Sequence, residues 1–128
     1  MIQWLPSTLI ALFSFGLWGW FSKLAIQHID SKSALIFQTF GVLLVGLVTL
    51  SLLNFKLTIN MKGMSYGLLT GLAYGVGCLF YLLAADKGKI TTVVTLTALY
   101  PLITIALSFF IEHEPIHLKQ WAGIFLAL

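Results

Sequence analysis

Residues 91–123 read TTVVTLTALYPLITIALSFFIEHEPIHLKQWAG, and this stretch decides the fold. Residues 90–111 are apolar apart from hydroxyl groups and reach the ~20 residues that a helix needs to cross the hydrocarbon core of a bilayer. Pro101 lies in the middle of this run and cannot donate a hydrogen bond to the carbonyl of Thr97, so we expect the helix to bend there. Hydroxyls and a proline predict a membrane helix that bends or lines a pathway.

The composition of the whole chain is that of a membrane protein. Of its 128 residues, 59% are hydrophobic and only 9% are charged, whereas soluble domains carry about 25% charged residues. The net charge is +3, and the basic residues are lysines at the ends of apolar segments: Lys23, Lys32, Lys56, Lys62, Lys87, Lys89 and Lys119. We therefore expect the lipid bilayer as a partner and no binding of nucleic acid.

Four segments are long enough to be complete membrane spans, and a fifth is not. The complete segments cover residues 4–26, 34–53, 63–85 and 90–111. Residues 118–128 would reach only ~16 Å as a helix, about half of the hydrocarbon core. The predicted fold is an all-α, polytopic membrane helix bundle with four complete transmembrane helices plus a truncated fifth. We expect the fifth span to be completed in a longer natural protein.

Short polar hinges join these segments, so consecutive helices are expected to pack as antiparallel neighbours. Alternate hinges carry three and four lysines, counting Lys23 with the nearer side. Such a balance gives no bias under the positive-inside rule. The orientation stays open, and insertion in both orientations is one of the possibilities.

The third span carries glycines at four-residue spacing, which we call the glycine ladder: Gly63, Gly67, Gly71 and Gly75. Three overlapping GxxxG units clear one helix face so that another helix can approach closely. The pattern predicts helix packing, within the chain or between chains, and an interface that slides is the functional alternative.

Several polar or special residues inside the spans are candidates for lining a substrate pathway. They are Trp18, Gln38, Tyr74, Thr97, Pro101 and Thr104. Tyrosine hydroxyls buried in a membrane need partners, which favours a polar cavity near Tyr74. Each assignment has a structural alternative. Trp18 can be core packing, threonine hydroxyls can bond to their own helix backbone, and Tyr66 and Tyr81 can be belt residues at the membrane interface.

Catalysis is not predicted. No Asp, Glu, Arg or His lies within a complete span, and the spans hold no nucleophile with a neighbouring base. The single cysteine, Cys78, excludes an internal disulfide. His113 and His117 with their neighbouring glutamates match no metal-site spacing. We expect no catalytic residue, no metal and no cofactor.

Several short motifs resemble the drug/metabolite transporter superfamily. They are Leu17-Trp18-Gly19, Tyr81-Leu82-Leu83-Ala84-Ala85, Ala98-Leu99-Tyr100-Pro101-Leu102, the hinge residue Glu114, and Gln120-Trp121-Ala122-Gly123. The chain is similar over residues 1–128 to a single EamA-like transmembrane domain, as in the small five-span members of bacteria and archaea. That family usually has Leu-Gly before the hinge glutamate. Here Glu112-His113 stand in its place, so no finer role is carried over to Glu114.

The resemblance implies a transporter of small metabolites that works by alternating access in a prokaryotic cytoplasmic membrane. A five-span chain would act as a half-transporter, paired as an antiparallel homodimer or with a second half. The candidate pathway residues would then shape a midplane cavity, and the glycine ladder would let the third span rock. The alternatives are a small multidrug exporter subunit, which the missing membrane carboxylate disfavours, and a non-transporting accessory subunit of a larger partner.

Overall fold

The computed structural model describes residues 3–113 and 115–127, and in these residues every regular element is a helix. This confirms the predicted all-α fold. The helices are α1 Leu5–Ile26, α2 Ser31–Leu52, α3 Met61–Lys87, α4 Ile90–Thr97, α5 Tyr100–Ile111 and α6 Leu118–Ala127. Helices α1, α2 and α3, together with the segment Ile90–Ile111 that comprises α4 and α5, are each long and apolar enough to cross a membrane.

The helices α2 and α3 begin earlier than the apolar runs from which their spans were predicted. Helix α2 begins at Ser31 because the side chain of Asp30 accepts a hydrogen bond from the backbone N–H of Ser33 at 3.1 Å. Helix α3 begins at Met61 because Asn60 accepts one from Gly63 N–H, also at 3.1 Å. Such caps satisfy amides of the first turn that have no partner within the helix.

The chain divides into two compact units, residues 1–90 and 91–128. In the first unit, α3 packs against both α1 and α2. The buried residues lie at one end of this unit, where α1 ends, α2 begins and α3 approaches its last turns. They are Ser22, Ser31, Ala34, Cys78, Tyr81, Leu82 and Ala85. The Ser31 hydroxyl donates to the carbonyl of Leu82 at 3.3 Å, which ties α2 to α3 at this end.

In the second unit, the expected bend appears as a break in the helix. Helix α4 ends at Thr97, two residues follow as a turn, and α5 begins with Pro101 in its first turn. The Leu99 amide donates to the carbonyl of Leu96 at 3.2 Å. This bond joins residues three apart, as in a 3₁₀ turn, whereas the bonds of an α-helix join residues four apart. Proline is tolerated in a first helical turn because the amide that it lacks would have no partner there.

Candidate functional site

Gln38 joins α2 to α3 through a small polar network. Its side-chain amide nitrogen, Nε2, donates to the hydroxyl oxygen of Tyr74 and to the sulfur of Cys78, each at 3.1 Å. Tyr74 is the central residue of α3, and Cys78 follows it by one turn on the same face. The structure thus brings together two of the predicted pathway residues, Gln38 and Tyr74, deep within membrane-spanning helices. The Tyr74 hydroxyl keeps its own hydrogen to donate.

A second contact joins α1 to α3 through aromatic rings. The ring centroids of Trp18 and Tyr81 lie 4.7 Å apart with an interplanar angle of 37°. A Cβ atom placed on Gly19 would lie 3.6 Å from the Tyr81 hydroxyl oxygen, an ordinary van der Waals contact, so this hydroxyl lies beside α1 at Gly19. Trp18, a predicted pathway residue, therefore meets Tyr81 rather than the network around Gln38.

Tyr81, for which a belt position at the membrane interface was one alternative, is buried against the protein. Only 6% of its surface is exposed. It lies in the last two turns of α3, which ends at Lys87.

Two polar atoms of α1 and α3 have no hydrogen-bond partner among the residues that the structure describes. They are the indole nitrogen Nε1 of Trp18 and the hydroxyl oxygen of Tyr81, and both are covered from solvent. Both groups are hydrogen-bond donors, and a covered donor without an acceptor is costly. Such exceptions are rare in native proteins and call for a physical explanation.

The remaining predicted pathway residues, Thr97, Pro101 and Thr104, lie in the second unit. The Thr97 hydroxyl donates to the carbonyls of Val93 and Val94, at 2.8 and 3.1 Å. This is the back-bonding that was the structural alternative for Thr97. Its hydrogen is already used within α4, so the oxygen of Thr97 is left to act only as an acceptor. The pathway role of all three residues stays a prediction.

The glycine ladder is open within the first unit. Neither α1 nor α2 lies within 4 Å of a Cβ atom placed on Gly67, Gly71 or Gly75, and Gly63 meets only its own capping residue, Asn60. Close packing on the ladder is therefore not seen inside this unit, and its role in helix packing stays a prediction. A face cleared of side chains in this way is available to another helix.

The hinge after α5 has the left-handed residue that often ends a helix, but this residue is a histidine and not the usual glycine. His113, the residue after the C-cap Glu112, has a φ of 54°, in the left-handed region that favours glycine. Glu114, the predicted hinge residue, lies outside the described residues. Among the residues that the structure describes, no group of three or more His, Cys, Asp or Glu side chains is placed to hold a metal ion.

Charged residues of the first unit lie at the ends of its helices. Asp30 precedes α2, and its pKa is lowered from the ordinary value by a hydrogen bond from the Ser33 hydroxyl and then by one from the Ser33 amide. The hydroxyl bond is short, at 2.6 Å. Lys23, in the last turn of α1, is half-buried and suits the negative end of that helix.

Comparison with known proteins gives a family and one relative of this chain. The model of the EamA-like transporter family matches residues 2–128. An uncharacterized protein of Methanocaldococcus jannaschii is 28% identical over 120 residues, which cover 94% of this chain and 86% of that relative. No solved structure matches.

Proposed function

The chain belongs to the EamA-like transporter family, and on this premise we propose that it carries small metabolites across the membrane as one half of a dimeric transporter. It is an integral, multi-pass membrane protein, since four of its segments are long and apolar enough to cross a bilayer. Three parts of the proposal go beyond membership of the family: the pairing of two halves, the pathway residues and alternating access.

The observation that carries the proposal is the network around Gln38. Polar side chains in a membrane span are costly and are by default functional. Gln38 lies about two turns inside α2, and its amide is held by Tyr74 and Cys78. Tyr74 remains 42% exposed, so the network reaches the surface of the first unit. A polar surface at this depth suits contact with a solute that crosses the membrane.

The open glycine ladder supports the pairing of two halves. In a bilayer, lipid tails are as apolar as leucine, so helices associate through close backbone approach rather than through the hydrophobic effect. Gly67, Gly71 and Gly75 offer such an approach on a face that α1 and α2 leave free. A second copy fits this face, and a flat glycine surface also lets two helices slide during alternating access.

Purified full-length protein in vesicles tests the proposal. We expect two copies per active unit and uptake or efflux of small metabolites, measured by mass spectrometry of the vesicle contents. Reporter tags at both chain ends then separate the kinds of pairing. Signals on both sides of the membrane support an antiparallel homodimer, and signals on one side require a second gene product. Transport by a strictly monomeric protein would refute the half-transporter proposal.

The same open ladder favours a second candidate function, that of an accessory subunit without transport activity. A larger membrane protein could supply the helix that covers Gly67 and Gly71. This function predicts that a stoichiometric larger partner co-purifies with the chain and that the chain alone transports nothing.

A further inference from the structure

The segment that connects α2 to α3 is apolar at every second position. Residues 53–62 read LNFKLTINMK, and large apolar side chains alternate there with polar ones. The apolar residues are Phe55, Leu57, Ile59 and Met61, which are 73, 63, 81 and 79% exposed. Large apolar side chains gathered on an exposed segment mark a surface that contacts something other than water.

Helix α2 ends in a turn that sets the direction of this segment. The Asn54 amide donates to the carbonyl of Ser51 at 3.0 Å, and the Phe55 amide donates to the carbonyl of Leu50 at 3.1 Å. These two bonds form the Schellman motif of a helix end. Both Asn54 and Phe55 have a left-handed backbone, with φ of 52° and 59°. Asparagine adopts this conformation readily, but a bulky residue such as phenylalanine rarely does. Packing within the chain does not compensate for it, because the Phe55 side chain is largely exposed.

The connecting segment begins and ends at the surface of the membrane. It joins two helices that are each long and apolar enough to cross a bilayer. Helix α3 has 27 residues and is therefore ~40 Å long, which exceeds the ~30 Å hydrocarbon core and reaches into the headgroup layers. Residues 53–60 are all that separates α2 from α3. The nearest apolar medium for their exposed side chains is the bilayer itself.

The charges on this segment favour an anionic lipid. Lys56 lies within it, and Lys62 lies in the first turn of α3. The acidic residues of the first unit are Asp30, before α2, and Asp86, near the end of α3. Both belong to the opposite ends of these two helices. The two lysines therefore give this end of the unit a net positive charge, and anionic headgroups are the complementary partner at a membrane surface.

We propose that residues 55–62 lie in the headgroup layer and bind anionic phospholipid of the bilayer that the chain spans. In an extended chain, alternate side chains point to opposite faces, and Asn60 at the end of the segment has an extended backbone, with φ of −141° and ψ of 123°. Phe55, Leu57 and Ile59 then enter the apolar boundary of the bilayer, and the lysines reach the headgroups. This inference is independent of the proposed transport function.

Spin labels placed along the segment test its contact with lipid. Full-length variants Leu57→Cys, Thr58→Cys and Ile59→Cys are labelled with a nitroxide and reconstituted into vesicles of phosphatidylcholine and phosphatidylglycerol. Cys78 is buried, and the unmutated protein measures any label that it takes up. Collision with oxygen reports exposure to lipid, and collision with a water-soluble nickel chelate reports exposure to water. Circular dichroism checks that each variant keeps its helicity.

We expect the ratio of oxygen to nickel collisions to be high at positions 57 and 59 and lower at position 58. High nickel collision at all three positions would place the segment in water and overturn the proposal. Low collision with both reagents at 57 and 59 would show that protein covers these side chains, either a second copy or another partner. That result would overturn it as well.

The two lysines are tested by the lipid preference at the same place. A fluorophore on Thr58→Cys is quenched by brominated phosphatidylglycerol or by brominated phosphatidylcholine, and the two titrations give the relative affinity for the anionic lipid. Each lysine near an anionic surface contributes about a fivefold preference, so Lys56→Gln with Lys62→Gln should lower the preference on the order of thirtyfold. The matched control is Lys32→Gln, at the other end of α2, which should leave it unchanged. An equal preference in the double variant and the unaltered segment would overturn the assignment of anionic lipid.

Discussion

Replacing Gln38 with leucine should loosen α2 from α3. Leucine keeps a similar size but cannot donate to Tyr74 and Cys78, which Gln38 reaches at 3.1 Å each. Hydrogen bonds between membrane helices contribute about 0.6 kcal/mol on average. Two such bonds give about 1.2 kcal/mol, and because sulfur is a weak acceptor we expect about 1 kcal/mol. That value corresponds to an unfolding constant about fivefold larger.

The assay is reversible unfolding of the purified protein in mixed micelles with increasing dodecyl sulfate, followed by far-ultraviolet circular dichroism. The matched control is Thr39→Val. The Thr39 hydroxyl bonds at 2.9 Å to the carbonyl of Leu35 in its own helix, so its removal leaves the α2–α3 contact in place. We expect Thr39→Val to change the free energy of unfolding less than Gln38→Leu.

A double-mutant cycle decides whether the Gln38–Tyr74 bond itself is responsible. Gln38→Leu and Tyr74→Phe remove the two ends of one bond, so their effects should be less than additive by about 0.6 kcal/mol. The cycle cancels any change in lipid contact that leucine brings. The control pair, Thr39→Val with Tyr74→Phe, shares no hydrogen bond, so its effects on the free energy of unfolding should add. If the effects of Gln38→Leu and Tyr74→Phe add in the same way, the reasoning is refuted.

Three further predictions concern other parts of the chain. His113 adopts a left-handed backbone with φ 54°, which glycine adopts without steric cost, so His113→Gly should raise the free energy of unfolding by about 1 kcal/mol. Thermal unfolding measures this gain, and His113→Ala should not show it. Since the pKa of Asp30 is lowered in the folded state, its stabilisation of the first turn of α2 should be present above the ordinary value of 3.8 and disappear as the pH falls through the folded-state pKa. Hydrogen exchange at Ser33 should show this loss in the wild type and not in Asp30→Asn. Gly71→Leu should weaken the dimer, and the matched change Gly46→Leu on α2 should not. Single-molecule photobleaching counts the dimers. Equal effects of the two changes would contradict the use of the glycine ladder as the interface.

The helices and their order could be predicted from the sequence because apolar runs of span length leave few alternatives. The starts of α2 at Ser31 and of α3 at Met61 were predicted three and two residues too late. The first turns that Asp30 and Asn60 cap contain polar residues, so a high hydropathy does not mark them. The break before Pro101 follows from the absent amide of proline and was expected.

The candidate site was predicted only in part. Gln38 and Tyr74 were each chosen for being polar within a span, but their pairing depends on the rotation and depth of α2 against α3, which residue spacing in one helix does not determine. An interface position was one alternative for Tyr81, and its burial depends on the contact with Trp18 of α1, which spacing within α3 does not determine. The spacing of the glycine ladder indicates close approach but not the identity of the approaching helix. The structure excludes α1 and α2 as that helix.

The backbone of His113 is left-handed, with a φ of 54°. Glycine is the residue that adopts this conformation without steric cost, and the resemblance noted in the sequence analysis implies a glycine at this position. The more polar hinge of this chain therefore keeps the helix end and accepts strain at one residue.

The central claim is that two copies form one transport unit, and vesicle dilution tests it most directly. Fluorescently labelled full-length protein is reconstituted at falling protein-to-lipid ratios into vesicles loaded with a small metabolite that the protein transports in the bulk vesicle assay. Copies and retained solute are then counted vesicle by vesicle. We expect vesicles with a single copy to keep their solute and vesicles with two copies to release it. Release from single-copy vesicles at the same rate would contradict the account.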